Sequence, residues 1–257
     1  MHQRIIERLQ QIELENHVAI LYACESGSRA WGFPSADSDY DIRFIYVHPR
    51  DWYLTIQDKR DVLEFPIEEN LDFSGWDIRK ALELFRRSNP PLLEWLGSPI
   101  VYREKTNFAQ QLRELSKTYY SPTSCIHHYL HMARGNYKDY VRGENIRIKK
   151  YFYLLRPILA IKWIEQGYGV APTAFSTLLE RVIATVELKE EIDRLMELKA
   201  SGSEVDRGPQ SPLVNQFIES ELTRLETQAQ YHQNSPAPFE VLDEIFRAIW
   251  QQVNFAS

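Results

Sequence analysis

A Gly-Ser pair followed by two closely spaced aspartates is the part of the chain best suited to chemistry. The pair is Gly27-Ser28, and ten residues separate it from Asp39 and Asp41. Residues i and i+2 of a strand share a face about 7 Å apart, so both carboxylates can converge on the same divalent cations. Glycine lets the backbone approach a phosphate closely, serine offers a hydroxyl and Arg29 adds a fixed positive charge. The pattern predicts a site for a nucleotide and a metal.

Two apolar runs must position these groups. Residues 18–23 lead into the Gly-Ser pair, and residues 42–47 follow the aspartates. Both runs are typical of buried strands, with a small-residue turn and a short helix between them. Arg43 lies two residues beyond Asp41, so we expect it on the same face of the sheet. There it either contacts phosphate or neutralises the carboxylates of the empty site, and the sequence favours neither role.

The longer strings around both motifs resemble a known superfamily. Residues 25–32 and 38–43 read ESGSRAWG and SDYDIR, which look like the polymerase-β-type nucleotidyltransferases and, within them, the RNA-repair-associated (RlaP-like) branch. The strings at 75–82 and 88–102 support that branch, and the resemblance covers about residues 15–165. It implies that a hydroxyl attacks the α-phosphate of an NTP and that pyrophosphate leaves, with an RNA 3′ end as the acceptor.

The resemblance also implies metal and a third carboxylate. Mg²⁺, with Mn²⁺ as a substitute, suits carboxylate and phosphate oxygens. Asp72 is the preferred third acid because it lies in a strand-like segment, which makes the expected metal ligands Asp39, Asp41 and Asp72. Asp77 is the rival catalytic acid, although its position at the start of a helix explains it as a cap. Glu64 is a weaker third choice.

A later segment supplies further candidates for nucleotide binding. Lys149, Lys150, Tyr153 and Arg156 combine cations and an aromatic ring on one predicted helix. In related two-domain transferases such a helix contacts the base and the triphosphate. The alternative is a core helix whose cations reach solvent. For an RNA acceptor, the same cations would contact its phosphates.

The acceptor itself stays open at this point. Besides an RNA end, the same motifs occur in small transferases that place a nucleotide on a protein hydroxyl. A third hypothesis is a catalytically inactive RNA-binding module, against which the intact Asp39 and Asp41 argue.

Composition bounds the remaining possibilities. The chain has 257 residues, 44% of them hydrophobic, which suffices for a core and excludes global disorder. A net charge of −6 argues against a uniformly basic surface for nucleic acid. Two cysteines, no apolar signal segment at the amino terminus and no membrane-length apolar run predict a cytoplasmic protein without a membrane partner.

The predicted fold class is an α/β (α+β) nucleotidyltransferase domain with a short mixed sheet, followed by an all-α carboxyl-terminal domain. We expect the catalytic domain at 1–105 and the helical substrate- or nucleotide-binding domain at 106–257. Hydrophobic periodicity and turn residues predict helices at 3–14, 77–88, 151–163, 174–200, 212–230 and 238–252, and strands at 18–25, 41–47, 62–67 and 71–74.

Overall fold

The structure is a computed structural model, and it describes residues 1–140, 146–201, 207–208, 210–227, 237–253 and 255. Residues 228–230 of the helix predicted at 212–230 lie outside the described residues. Within the described parts of the chain, no helix has both the length and the apolar composition needed to cross a lipid bilayer.

Five strands form one mixed sheet in the order β3-β4-β2-β1-β5. Only β2 and β4 run parallel, and the other neighbouring strands of this sheet pair antiparallel. The strands predicted at 62–67 and 71–74 are observed as an antiparallel pair, the first of which ends at Glu64. The second continues beyond residue 74, because side chains keep alternating between buried and half-buried up to the next helix. The strands are β1 (Ala19–Glu25), β2 (Tyr40–Val47), β3 (Val62–Glu64), β4 (Leu71–Asp77) and β5 (Val101–Glu104).

Helices of the amino-terminal half surround this sheet. The first helix packs its buried stripe of Ile5, Leu9 and Ile12 into a core with Phe44 of β2 and Phe73 of β4. The spacing of that stripe is the 3.6-residue period that predicted the helix. The helices of this half are α1 (His2–Asn16), α2 (Gly27–Trp31), α3 (Arg50–Tyr53), α4 (Ile78–Arg86), α5 (Pro90–Leu96) and α6 (Phe108–Tyr119).

In the later part of the chain the described residues form mainly helices, together with a two-residue strand pair, β6 (Ile146–Arg147) with β7 (Arg207–Gly208). The continuous helix predicted at 174–200 is wrong. Ile183 takes an extended conformation, and a new helix starts after Thr185, because a run of β-branched residues weakens helix formation at that point. The helices are α7 (Pro122–Tyr140), α8 (Ile148–Glu165), α9 (Phe175–Val182), α10 (Val186–Ala200), α11 (Pro212–Thr227) and α12 (Glu240–Ala248).

Contacts divide the chain into two compact units. The first comprises Met1–Ala30, Asp39–Tyr119 and Pro236–Ser257, and it contains the sheet. The second comprises Trp31–Ser38 and Tyr120–Ser235, and its described part is mainly helical. A mixed sheet with helices, followed by a helical region, confirms the predicted fold class. The domain boundary predicted after residue 105 stays a prediction.

Candidate functional site

Two acidic residues lie side by side on the parallel strands β2 and β4. Asp41 and Asp72 are direct partners in the register of this pair, and Arg43 pairs with Ser74 two positions further along. Buried residues alternate with these polar ones, so the apolar face holds the strands on the core and the other face presents the acids. The strand order therefore brings together Asp41 and Asp72, which stand 31 positions apart in the sequence.

Arg43 joins the two carboxylates. Its Nη2 donates to Asp41 Oδ1 at 2.9 Å and to Asp72 Oδ2 at 2.7 Å. Its Nη1 donates to the carbonyl oxygen of Asp72 at 3.1 Å. The expectation that Arg43 shares a face with Asp41 is confirmed, and the structure has its guanidinium neutralising the paired acids.

Gly27 closes the site from the side of α2. Its φ of +59° lies in the left-handed region, and a Cβ on this residue would overlap Asp41 Oδ2 and stand 3.0 Å from Asp41 Cγ. Glycine alone avoids both the strain and the overlap. The structure thus has Gly27 close to the carboxylate of Asp41, and the approach of its backbone to a phosphate stays a prediction.

A buried acid that the sequence did not reveal, Glu25, binds the backbone of Asp41. Glu25 at the end of β1 is fully buried, and its Oε1 accepts a hydrogen bond from the backbone N–H of Asp41 at 2.7 Å. Its Oε2 accepts a short hydrogen bond from the hydroxyl of Tyr102. Burial raises the pKa of Glu25, while both hydrogen bonds oppose that shift. Only the pairing of three strands reveals this role, and no local motif indicates it.

The loop side of the site contains Arg29 and Asp39. Arg29 donates from Nε to the carbonyl oxygen of Asp39 at 3.1 Å and stacks over the ring of Tyr40 at 3.7 Å. Ser28 lies on α2 directly before Arg29. Asp39 is exposed just ahead of β2. Burial raises the pKa of Asp41. The positive charge of Arg43 lowers this pKa, whereas the negative charges of Asp72 and Asp39 raise it further.

Asp77 lies at the opposite end of β4 from Asp72 and is the cap of α4. Its carboxylate accepts hydrogen bonds from the backbone N–H of Arg79 at 2.9 Å and from the hydroxyl of Tyr53 at 2.6 Å. Asp77 stands five positions after Asp72 along the strand, or about 16 Å at the usual rise. Burial raises the pKa of Asp77 to about 6. This geometry matches the capping role, whereas Asp72 is the acid placed beside Asp41.

The four predicted nucleotide contacts of the second unit lie on α8. Lys149 is exposed and Lys150 is half-buried, whereas the exposed side chain of Tyr153 has its ring 5.9 Å from that of Trp31. Arg156 is almost fully buried and donates to the carbonyl oxygen of Pro172 at 3.0 Å, as expected of a residue that organises its own unit. Their contacts with a nucleotide stay predictions.

The carboxylate oxygens of Asp41 and Asp72 are chemically suited to bind a hard cation. Asp41 and Asp72 already share one positive charge, the guanidinium of Arg43, so both carboxylates can face a single cation. Carboxylate oxygens are the ligands that Mg²⁺ takes. The part of the chain that the structure describes contains no group of three or more His, Cys, Asp or Glu side chains arranged to hold a metal. Two convergent acids are thus present, and a metal held there would need further ligands, for which Asp39 and the substrate are the candidates.

Comparison with known proteins identifies the family of the chain. The chain matches the model of RlaP, described as the RNA repair pathway DNA polymerase beta family, over residues 1–248. It is 52% identical over 225 residues to the uncharacterized protein YcgL of Bacillus subtilis (strain 168), covering 88% of this chain and 86% of that protein. A solved nucleotidyltransferase-like protein from Exiguobacterium sibiricum 255-15 shares 10% identity with a TM-score of 0.34, over 98% of this chain and 87% of that one. This chain belongs to the RlaP family of DNA polymerase beta-type proteins.

Proposed function

We propose that this protein transfers a nucleoside monophosphate from an NTP to a hydroxyl acceptor and releases pyrophosphate. The observation that supports this most is the pairing of Asp41 with Asp72 on adjacent parallel strands, where both acids contact one cationic group. Gly27 packs against the same carboxylate of Asp41, so the Gly-Ser turn and the acids form one site.

The residues then have separate tasks. Asp41 and Asp72, with Asp39, would hold Mg²⁺ or Mn²⁺, which would supply positive charge for the triphosphate and lower the pKa of an attacking hydroxyl. The hydroxyl of Ser28 and the guanidinium of Arg29 would bind phosphate oxygens, where charge collects during phosphoryl transfer. Glu25 holds the backbone of Asp41 in place and so orients its carboxylate.

We further propose an RNA end as the acceptor, because the family is described as one of an RNA repair pathway. The alternative of nucleotide transfer to a protein hydroxyl requires no different arrangement of the acids. Identification of the labelled product therefore distinguishes the two acceptors.

The test incubates the full chain with each of four α-³²P-labelled NTPs, Mg²⁺, RNA with a free 3′-hydroxyl and, separately, a lysate protein fraction. Label on RNA supports the RNA proposal, and label only on protein moves the proposal to protein nucleotidylation. No label on either acceptor contradicts the proposed transfer.

Two variants and a control test the acids in the same assay. Asp72→Asn should abolish labelling while the protein remains folded, because it removes a ligand without removing buried packing. Asp77→Asn should retain labelling, since its carboxylate caps α4. Asp58→Asn, at an exposed acid of the same unit, controls for the loss of one negative charge. Loss of labelling with Asp77→Asn alone would make Asp77 the third acid.

A further inference from the structure

The guanidinium of Arg43 is held where the charge of a metal would be expected. One nitrogen contacts the carboxylates of Asp41 and Asp72, and the other donates to the carbonyl oxygens of Asp72 and Ile42 at 3.1 and 3.3 Å. The side chain of Arg43 is 19% exposed, against 28% for Asp41 and 25% for Asp72. These contacts leave the guanidinium largely enclosed between the two acids.

We propose that Arg43 is a built-in cation that closes the metal site, and that a divalent metal binds between Asp41 and Asp72 only by displacing it. The proposal rests on the proposed function, since it concerns regulation of that same site. It assigns to Arg43 a gating role that precedes any contact with nucleotide.

The two partners of these ion pairs differ in how freely they can move. Asp41 and Asp72 have short side chains on hydrogen-bonded strands, and Glu25 and Gly27 further restrict Asp41. Arg43 has a long side chain with several rotatable bonds, so it is the partner that can leave. Two adjacent carboxylates without a cation would repel each other, which explains why the guanidinium lies between them.

The positive charge of Arg43 also determines which ion can displace it from the two acids. A divalent cation brings twice the charge to the same oxygens and can replace it. The metal then binds a state in which the guanidinium of Arg43 has left the acids. The free energy needed to release Arg43 lowers the apparent affinity of the protein for the metal.

The first experiment measures Mn²⁺ binding to the full chain without nucleotide, by electron paramagnetic resonance of free Mn²⁺. Arg43→Met removes the guanidinium but keeps an unbranched side chain, and it should bind Mn²⁺ about tenfold more tightly than the wild type, since each charge-assisted hydrogen bond that no longer has to break adds to affinity. Arg60→Met is the matched control, because Arg60 pairs only with the exposed Glu64 among the described ion pairs. That control should bind as the wild type does.

Equal or weaker Mn²⁺ binding by Arg43→Met would overturn the proposal, because it would mean that Arg43 orients the acids for metal. Absence of Mn²⁺ binding by both proteins would overturn it too. Equal tightening in Arg60→Met would reduce the effect to general electrostatics and would also count against the gate.

A second measurement needs no variant to fold. In ¹⁵N-labelled wild type at low temperature, hydrogen bonding to two carboxylates should make the Nη signals of Arg43 resolvable. Saturating Mg²⁺ should collapse these signals, and signals unchanged by metal would refute displacement. Neither readout requires turnover, so a protein that passes both tests but labels no acceptor would contradict the proposed function and leave the gate intact.

Discussion

Gly27 offers the sharpest test of how the backbone positions the proposed catalytic acids. Gly27→Ala adds one methyl group at a φ of +59°, in a place where it overlaps Asp41 Oδ2. The overlapped atom is the end of a side chain, so the carboxylate can rotate away while the strand stays in place. We therefore expect the substitution to damage function far more than folding.

The magnitude has two separate parts. An alanine in the left-handed region costs roughly 1–2 kcal/mol of unfolding free energy. Relief of the overlap requires the Asp41 carboxylate to withdraw by about 1 Å, and a misplacement of that size can lower a rate about 100-fold. The shift also disturbs the ion pair with Arg43, whose Nη2 lies 2.9 Å from Asp41 Oδ1.

Gly167→Ala is the matched control. Gly167 has a φ of +77°, and no atom lies within 4 Å of the position that a Cβ would take there, so its alanine variant carries the strain without the overlap. Both variants are compared by thermal unfolding and by initial rates of nucleotide transfer. Similar stability losses with a rate loss of about 100-fold only in Gly27→Ala would support the reasoning. Equal rates in the two variants would refute it.

Three further predictions follow from other contacts. Burial raises the pKa of Asp77 to about 6 in the folded state, from 3.8 in the unfolded state, so the folded protein holds this proton more tightly. The stability that the protonated carboxyl contributes is therefore lost as pH rises from about 3.8 to about 6. In denaturant unfolding across this range, the wild type should lose up to about 3 kcal/mol more unfolding free energy than Asp77→Asn. Glu25→Ala should cost about 2–3 kcal/mol in the same assay by leaving the Asp41 N–H without an acceptor, and Glu25→Gln, which keeps an oxygen, should cost less. Replacing Lys149 and Lys150 by alanine should flatten the salt dependence of RNA binding by about 0.7 log units per lost contact in an anisotropy titration; an unchanged slope would remove both from the RNA surface.

Local patterns were enough to predict β1 to β4 and the relation between Asp41 and Arg43. Alternation along a strand puts residues i and i+2 on one face, so their proximity needs no knowledge of the rest of the fold. The capping role of Asp77 was predictable for the same reason, since a cap acts on a backbone N–H two residues away.

The support for Asp41 was not predictable from local patterns. The role of Glu25 depends on the pairing of β1 with both β2 and β5. This pairing brings the backbone N–H of Asp41 and the hydroxyl of Tyr102 to the carboxylate of Glu25. A short edge strand such as β5 has too few residues to show a period, so its place in the sheet is decided by tertiary contacts.

The segment Trp31–Ser38, between the Gly-Ser pair and the aspartates, also has a structural role that local sequence patterns do not predict. Phe33 is nearly buried, with its ring 4.6 Å from Phe152 and 5.2 Å from Phe175, and its carbonyl oxygen accepts a hydrogen bond from Lys199. By these contacts the segment Trp31–Ser38 belongs to the second unit, although the chain on either side of it belongs to the first. Trp31–Ser38 is therefore anchored within the second unit, where the ring of Phe33 packs on helices more than 100 positions away. A local pattern can give the length of such a spacer, but its anchoring arises only when distant helices supply the partners.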